Sequence, residues 1–293
     1  MSSDSRHDCD SDDPSSTLKT QLCGSGADLL GVAPIDRFDE LPPDRHPRAI
    51  FPETQSVLVI GKRITRGALR GVEEGTQFQL YHLYGRDWLN NRVLATATLR
   101  VAQFLEDNGW EAVPLPNLPP EVPPLGVAVR PGQPAPNVML DFDDAAVRAG
   151  VGEIGYCGLL LTAQYGPRQR LQIVLTDAVL EPDPLLGEPV CDRCREHASF
   201  CPLGAIDPTG ERVISICGRE MLIASIDDAK CATCKNGATP NPYHPSGRPD
   251  RMAALCTRSC IQYLEASCRV TNTFHRPFRK RDPWGVVEER RIL

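Results

Sequence analysis

The sequence is short of aromatic residues, of long apolar runs and of positive charge. Aromatics make up 6% of its 293 residues and hydrophobic residues 41%, an ordinary globular composition with a modest aromatic supply. No apolar run approaches the ~20 residues that span a bilayer; the longest are short, such as Ser56-Val-Leu-Val-Ile60 and Gly158-Leu-Leu-Leu161. The formal net charge is −6, whereas a large nucleic-acid-binding face would be basic. The N-terminal stretch lacks a basic n-region, an apolar h-region and a twin-arginine pair. These absences predict a cytoplasmic protein with no membrane segment. In that reducing compartment, clustered cysteines read as metal ligands more readily than as disulfides.

Cysteine is what the chain does have. Eight of its twelve cysteines lie between Cys191 and Cys260. They open with Cys191-Asp-Arg-Cys194-Arg-Glu-His197-Ala-Ser-Phe-Cys201-Pro202, close to the C-x2-C-x2-C-x3-C-P run that holds iron–sulfur clusters in bacterial ferredoxins. His197 stands at the third cysteine position. Thiolate sulfur is soft and suits iron or zinc. In two-cluster ferredoxins the cysteine before proline ligates the other cluster. That logic puts Cys191, Cys194 and Cys260 on a first [4Fe-4S] cluster. Cys201 then joins Cys217, Cys256 and one of Cys231 or Cys234 on a second. His197 has three readings: a ligand of the first cluster, a bystander whose place Cys231 or Cys234 takes, or the mark of a degenerate, missing cluster. The alternative metal is zinc, for which Cys191, Cys194, His197 and Cys201 are a legitimate loop-stapling set. Eight thiols and a Cys-Pro step exceed what a single zinc needs. Cys9, Cys23, Cys157 and Cys268 fall outside the pattern.

The length allows one large domain or two medium ones. Residues 1–16 are predicted to be disordered. A weak helix over Leu18–Leu30 is followed by a proline-marked loop. Ser56–Ile60 reads as a buried strand. Gly75 to Asp107 is mostly helical, with Leu89, Val93, Leu94, Ala97, Val101, Phe104 and Leu105 forming its packing face, and Trp110–Val113 is a second strand. This strand–helix–strand order predicts an α/β layer. Residues 114–136 hold nine prolines, which exclude a helix or a central strand. Asp143–Ala149 is a short helix, Arg170–Thr176 the clearest strand, and Met252–Glu265 helical. The acidic start (five Asp in residues 1–13) and the basic end (Arg269, Arg276, Arg279, Lys280, Arg281, Arg290, Arg291) read as solvated tails, or the latter as a docking edge for an acidic partner.

Two motifs are decoys. Gly150-Val-Gly152-Glu-Ile-Gly155 fits the dinucleotide fingerprint, but a helix precedes it and Gly166-Pro167 stops one from following. Its glycines still demand tight turns or close backbone approach. Asp44-Arg-His46 begins like a corrinoid loop, but Ala49 stands where that loop needs glycine.

The order of several segments carries a resemblance. Ala149–Gly155, Gly158–Leu161, Tyr165-Gly-Pro167, Thr176-Asp177, Leu180–Asp183 and Cys191 through Cys201-Pro-Leu-Gly-Ala-Ile206 together resemble the epoxyqueuosine reductase and reductive dehalogenase superfamily. Weaker likeness covers Gly26–Ile60, Arg258–Ile261 and Asn272–Trp284. The resemblance implies an α/β (α+β) cobalamin-binding core over 17–185. A ferredoxin-like domain with two [4Fe-4S] clusters follows over 186–268, and a basic extension over 269–293. It implies electrons passing from a donor such as ferredoxin or flavodoxin, through the clusters, to cobalamin for reductive chemistry. Gly150, Gly152, Gly155 and Gly158 would lie against the corrin. Three departures stand out: His197, the absence of the Asp-Ser-Ala-Pro stretch of the epoxyqueuosine reductases, and Tyr156 where their lysine stands. Tyr156, Asp141 or Asp143 (with Asp144 beside them) is then the candidate proton donor, although helix capping also accounts for Asp141 or Asp143. These departures and the negative charge point to a small organic or corrinoid-protein substrate and away from tRNA. The alternative is a ferredoxin-like carrier that reduces a partner corrinoid protein.

Overall fold

The β-branched apolar runs build the centre of the molecule. The computed structural model describes residues 26–115, 126–239 and 248–284. Among these, the strands are β1 (Leu29–Pro34), β2 (Ser56–Arg63), β3 (Ala112–Leu115), β4 (Glu153–Ile154), β5 (Leu160–Leu161), β6 (Gln169–Thr176), β7 (Ile206–Ile216) and β8 (Arg219–Ile226). Three helices matter most: α1 (Ala95–Asp107), α2 (Phe142–Arg148) and α3 (Leu255–Ala266).

One sheet runs β1-β2-β6-β3. In the register, Val57 faces Leu175 and Val59 faces Ile173. Successive side chains point to opposite faces, and both faces are covered. Val57, Val59, Ile173 and Leu175 pack with Ala145, Ala146 and Val147 of α2. Leu58, Ile60 and Val174 pack with Val101 and Leu105 of α1. That is why these strands are continuous apolar runs and do not alternate. Fully burying one such aliphatic side chain stabilises by about 1.5–3 kcal/mol.

The strand–helix–strand expectation is corrected in one respect. β6 inserts between β2 and β3, antiparallel to both, and β1 is antiparallel to β2. The sheet is therefore antiparallel throughout, and the class is α+β. The expected helix over Leu18–Leu30 is corrected at its C-terminal end. Leu29 and Leu30 pair with Gly61 and Ile60 as strand, because a place beside β2 buries them better than a glycine-weakened helix would. Residues 18–25 and the predicted tail 1–16 lie outside the described residues. Pro114 sits in edge strand β3, where its missing N–H costs no ladder bond.

The cysteine region holds an element the sequence reading missed. β7 and β8 form a hairpin closed by Cys217 and Gly218, with φ of 49° and 74°. Two consecutive left-handed residues are the mark of a type I′ turn. Ile216 and Met221 pack against the main core, whereas Ile206 and Ala224 pack beside Tyr156. The hairpin thus spans the sheet core and the thiols. No helix among the described residues is long and apolar enough to cross a membrane.

Candidate functional site

Two loops and one helix bring the cysteines together. Cys191 is held by its N–H, which donates to Glu153 Oε1 at 2.7 Å, and its Sγ accepts from the Tyr156 N–H at 3.4 Å. Arg193 and Arg195 flank Cys194 with φ near 60°, curling the loop. Cys201 Sγ accepts from the Ala205 N–H at 3.2 Å. On α3, Cys256 and Cys260 are four residues apart, so they lie one turn above the other on one face.

The thiols fall into two neighbourhoods. Cys260 donates a hydrogen bond to Cys157, and its other electrostatic neighbours are Cys191 and Cys194. Cys191 and Cys260 also share an apolar cluster with Leu161 and Leu264. The second neighbourhood joins Cys201, Cys231, Cys234 and Cys256. Cys157 is within electrostatic reach of Cys256 as well, so the two sets adjoin. Burial pushes the thiols of Cys231 and Cys256 up to about 11 and raises Cys191, Cys194 and Cys234. Cys157 is drawn down to about 7, first by the hydrogen bond from Cys260.

Two expectations about this region are corrected. Cys217 is the first residue of the β7–β8 turn. Its sulfur lies 3.6 Å from Arg148 Nη1 and 3.5 Å from the Arg37 carbonyl, among none of the other cysteines. The zinc set Cys191, Cys194, His197 and Cys201 is not assembled, because Cys201 turns into the second neighbourhood. Among the described residues, no three His, Cys, Asp or Glu side chains approach closely enough to share one metal ion. The thiols of a [4Fe-4S] cage need not do so, since each binds a different iron.

His197 is buried and neutral. Burial, helped by Arg251, lowers it to about 4. Its ring centroid is 5.4 Å from that of Tyr156, and its Nε2 has no partner among the described residues. Arg251 is 4% exposed, and one of its Nη atoms donates to the Cys157 carbonyl at 2.8 Å. The other Nη has no partner among the described residues. Its electrostatic neighbours include Cys157, Cys231, Cys256 and His197.

Arg251 also lines a cavity of about 470 Å³, enclosed by Phe38, Leu140, Asp141, Asp143 and Arg248 on one side and hairpin residues such as Ile214 and Ile223 on the other. Asp141 caps α2, accepting from the N–H groups of Asp143 and Asp144 at 3.0 and 3.1 Å. Asp144 is tied to Arg148 at 2.6 Å. Asp143 is raised to about 7 by burial and by the charge of Asp141, against the pull of Arg248, Arg170 and Arg251. Capping thus belongs to Asp141, and Asp143 is left facing the cavity, its carboxyl raised toward neutral pH. The Tyr156 hydroxyl is not beside it. That group donates to Glu211 Oε1 at 2.7 Å, and Tyr156 is not among the residues that line the cavity. Burial and this bond raise its pKa.

The glycine loop has an internal explanation. A Cβ on Gly150 would stand 2.1 Å from the Pro184 carbonyl oxygen, and one on Gly152 2.3 Å from that of Leu161. The Gly155 position is closed by the Leu161 side chain. Of the four glycines offered to a corrin, only Gly158 lines the cavity. As the sequence predicted, no helix starts after this loop: β4 lies within it and β5 follows. The basic residues are internally engaged too, with Arg279 and Arg281 on Glu74 and Lys280 on Glu196. Arg290 and Arg291 lie outside the described residues. Cys157 and Arg251 were missed by sequence reading: no spacing rule links the first to the cysteine string, and only burial without a partner marks the second.

No family model matches the chain. Over 192 residues, 64% of this chain, it is 34% identical to the tetrachloroethene reductive dehalogenase of Desulfitobacterium hafniense. The aligned part is 29% of that relative, so the chain spans less than a third of its length. A catabolic reductive dehalogenase structure superposes with a TM-score of 0.52 at 17% identity, covering 94% of this chain and 42% of that one. An epoxyqueuosine reductase from Bacillus subtilis gives a TM-score of 0.49 at 18% identity, covering 92% and 68%. Over 64% of its length the chain is similar in sequence to a reductive dehalogenase, and over nearly all of it the fold is similar to that of a solved reductive dehalogenase.

Proposed function

We propose that the chain is an iron–sulfur reductase acting on a small organic substrate held in the cavity beneath the β7–β8 hairpin. The observation that carries this reading is Arg251. A guanidinium buried without a carboxylate is strongly unfavourable. Arg251 lies between two sets of thiols and the cavity, and has no ion-pair partner among the described residues. Anionic clusters held by those thiols would supply the missing negative charge. N–H groups directed at Cys191 and Cys201 suit the same role, because hydrogen bonds to the sulfurs tune a cluster's potential.

Bound clusters supply single electrons, entering from a donor such as ferredoxin or flavodoxin. Cys201, Cys231, Cys234 and Cys256 would hold the second cluster, and Cys191, Cys194 and Cys260 three corners of the first. The chain's own residues do the rest. Arg251 and Arg248 hold a substrate with an anionic group, and apolar Phe38, Leu140, Ile214 and Ile223 exclude water. Asp143, with a pKa of about 7, keeps a proton for delivery at neutral pH. Asp143 Oδ would supply the proton of a reductive bond cleavage, for which clusters held by the thiols would supply the two electrons.

Cobalamin, which the superfamily implies, does not fit the described residues. Three of the four glycines are closed by the chain's own atoms. A cavity of about 470 Å³ matches a drug-sized molecule, and a corrinoid is larger. No step is drawn through it. The test is anaerobic purification with iron, sulfide, zinc and cobalt measured per chain. The expected result is about eight iron and eight sulfide, with no cobalt retained after incubation with cobalamin. Zinc without sulfide would sink the reading.

A further inference from the structure

We infer that Cys157 takes the place of His197 as a protein ligand, completing with Cys191, Cys194 and Cys260 an all-thiolate cage for the first cluster. The inference rests on the iron–sulfur reading above and says which side chain closes the cage. The second set has four thiols and none to spare: Cys201, Cys231, Cys234 and Cys256. The first has three from the cysteine string, so its fourth ligand is either the imidazole at the string's third position or a thiol from elsewhere.

The β4–β5 hairpin delivers that thiol. Gly155 and Gly158 close its tip, with the Gly158 N–H on the Gly155 carbonyl at 2.8 Å. Gly158 has φ of 69°, which a side chain would strain. The tip therefore has one shape, and it points into the first set. The Tyr156 N–H donates to Cys191 Sγ, and the side chain of the next residue, Cys157, lies against that of Cys260. Arg251 anchors the same residue from behind through its carbonyl. Cys157 is 3% exposed, with no route to act as a surface thiol.

His197 is held beside Tyr156, its ring tilted 47° to the phenol at 5.4 Å between centroids, with Arg251 and Glu196 as its charged neighbours. Its bare Nε2 is the one feature in its favour, and the experiment is built around that atom. Ligation needs no oxidant. A preformed cluster exchanges its carrier thiolates for those of the protein, each cysteine loses a proton to solvent as its Fe–S bond forms, and the Cys157–Cys260 hydrogen bond is given up.

Full-length protein, loaded anaerobically by transfer from a preformed [4Fe-4S] thiolate complex, is compared with Cys157→Ala and His197→Ala by iron and sulfide content and by EPR of the as-prepared and dithionite-reduced states. Cys157→Ala is expected to lose half of the iron and sulfide, or one iron with the appearance of a three-iron signal. His197→Ala is expected to keep both clusters. Hyperfine spectra of reduced wild-type protein, labelled with 15N-histidine, are expected to show no coordinated imidazole nitrogen. This measurement decides the matter even if a variant folds poorly. A directly bound nitrogen, or full cluster content with an unchanged spectrum in Cys157→Ala, overturns the inference while the reductase reading stands. Wild-type protein that takes up no iron and sulfide sinks that reading, and the inference with it.

Discussion

The sheet core and the thiol region are stabilised in opposite ways. In the core, β2 and β6 are buried on both faces by α1 and α2, and Leu58, Val59, Ile60, Ile173, Val174 and Leu175 are wholly inaccessible. Nothing there waits for a partner. In the thiol region, by contrast, five thiols are pushed toward neutrality by burial, His197 Nε2 is bare, and one Nη of Arg251 is bare. One region is complete as a polypeptide, and the other, on the reading proposed above, is built around bound clusters. Metal binding of that kind is coupled to folding.

Withholding iron should break the molecule along this line and has the largest expected effect. Protein made without iron and sulfide should be cut by protease within 187–239, while a fragment holding the sheet persists; equal resistance of the two forms would erase the contrast. Next comes the network that ties the regions together. Arg170 of β6 pairs with Asp250 at 2.7 Å, and the Tyr81 hydroxyl donates to the same carboxylate at 2.7 Å. Asp250→Ala strands a buried guanidinium and should cost about 3–5 kcal/mol in denaturant unfolding. Burial pushes the Asp250 pKa up, but Arg170 and the Tyr81 hydroxyl pull it down further, so the net shift is downward. Its contribution is thus present above the unfolded carboxylate value and is lost as pH falls through the lower folded one.

Asp143 sharpens the comparison, being a strained group on the core side of the cavity. Asp143→Asn should lower turnover by about 10²–10⁴ and leave the iron content unchanged. Wild-type rate should fall as pH rises through about 7. The stability sign is the reverse of that of Asp250. A raised folded pKa gives stability below the unfolded value that is lost as pH rises toward 7, so the Asn variant should gain relative to wild type at pH 8. The smallest effect belongs to Cys217→Ser. A turn residue apart from the other thiols should change stability by no more than about 0.5 kcal/mol and leave the iron and sulfide content as it was.

The same division decides what the sequence made legible. Ser56–Ile60 and Arg170–Thr176 could be read because a strand buried on both faces leaves an unbroken apolar run. The string from Cys191 to Cys201 stands out in the sequence because its cysteines are close in the chain. Cys157 could not: its relation to Cys260 is made by the hairpin tip and α3, 103 residues apart. Cys217 was misread for the converse reason, since proximity in sequence grouped it with ligands although Cys-Gly between alternating apolar residues is a turn signal. Asp141 and Asp143 carry the same letter, and only the backbone of α2 tells the cap from the acid.

The β7–β8 hairpin carries a consequence for how such a protein can change. Its two strands are tied together at Ile206 and Ile226, just after Cys201 and just before Cys231, while its middle and tip roof the cavity and touch the core. Residues can therefore be inserted or exchanged beyond that clasp without shifting either cysteine. The roof over the cavity is free to drift while the cysteines beneath it stay in place, so on the proposed reading a lineage of such chains can acquire new substrates by remodelling one hairpin.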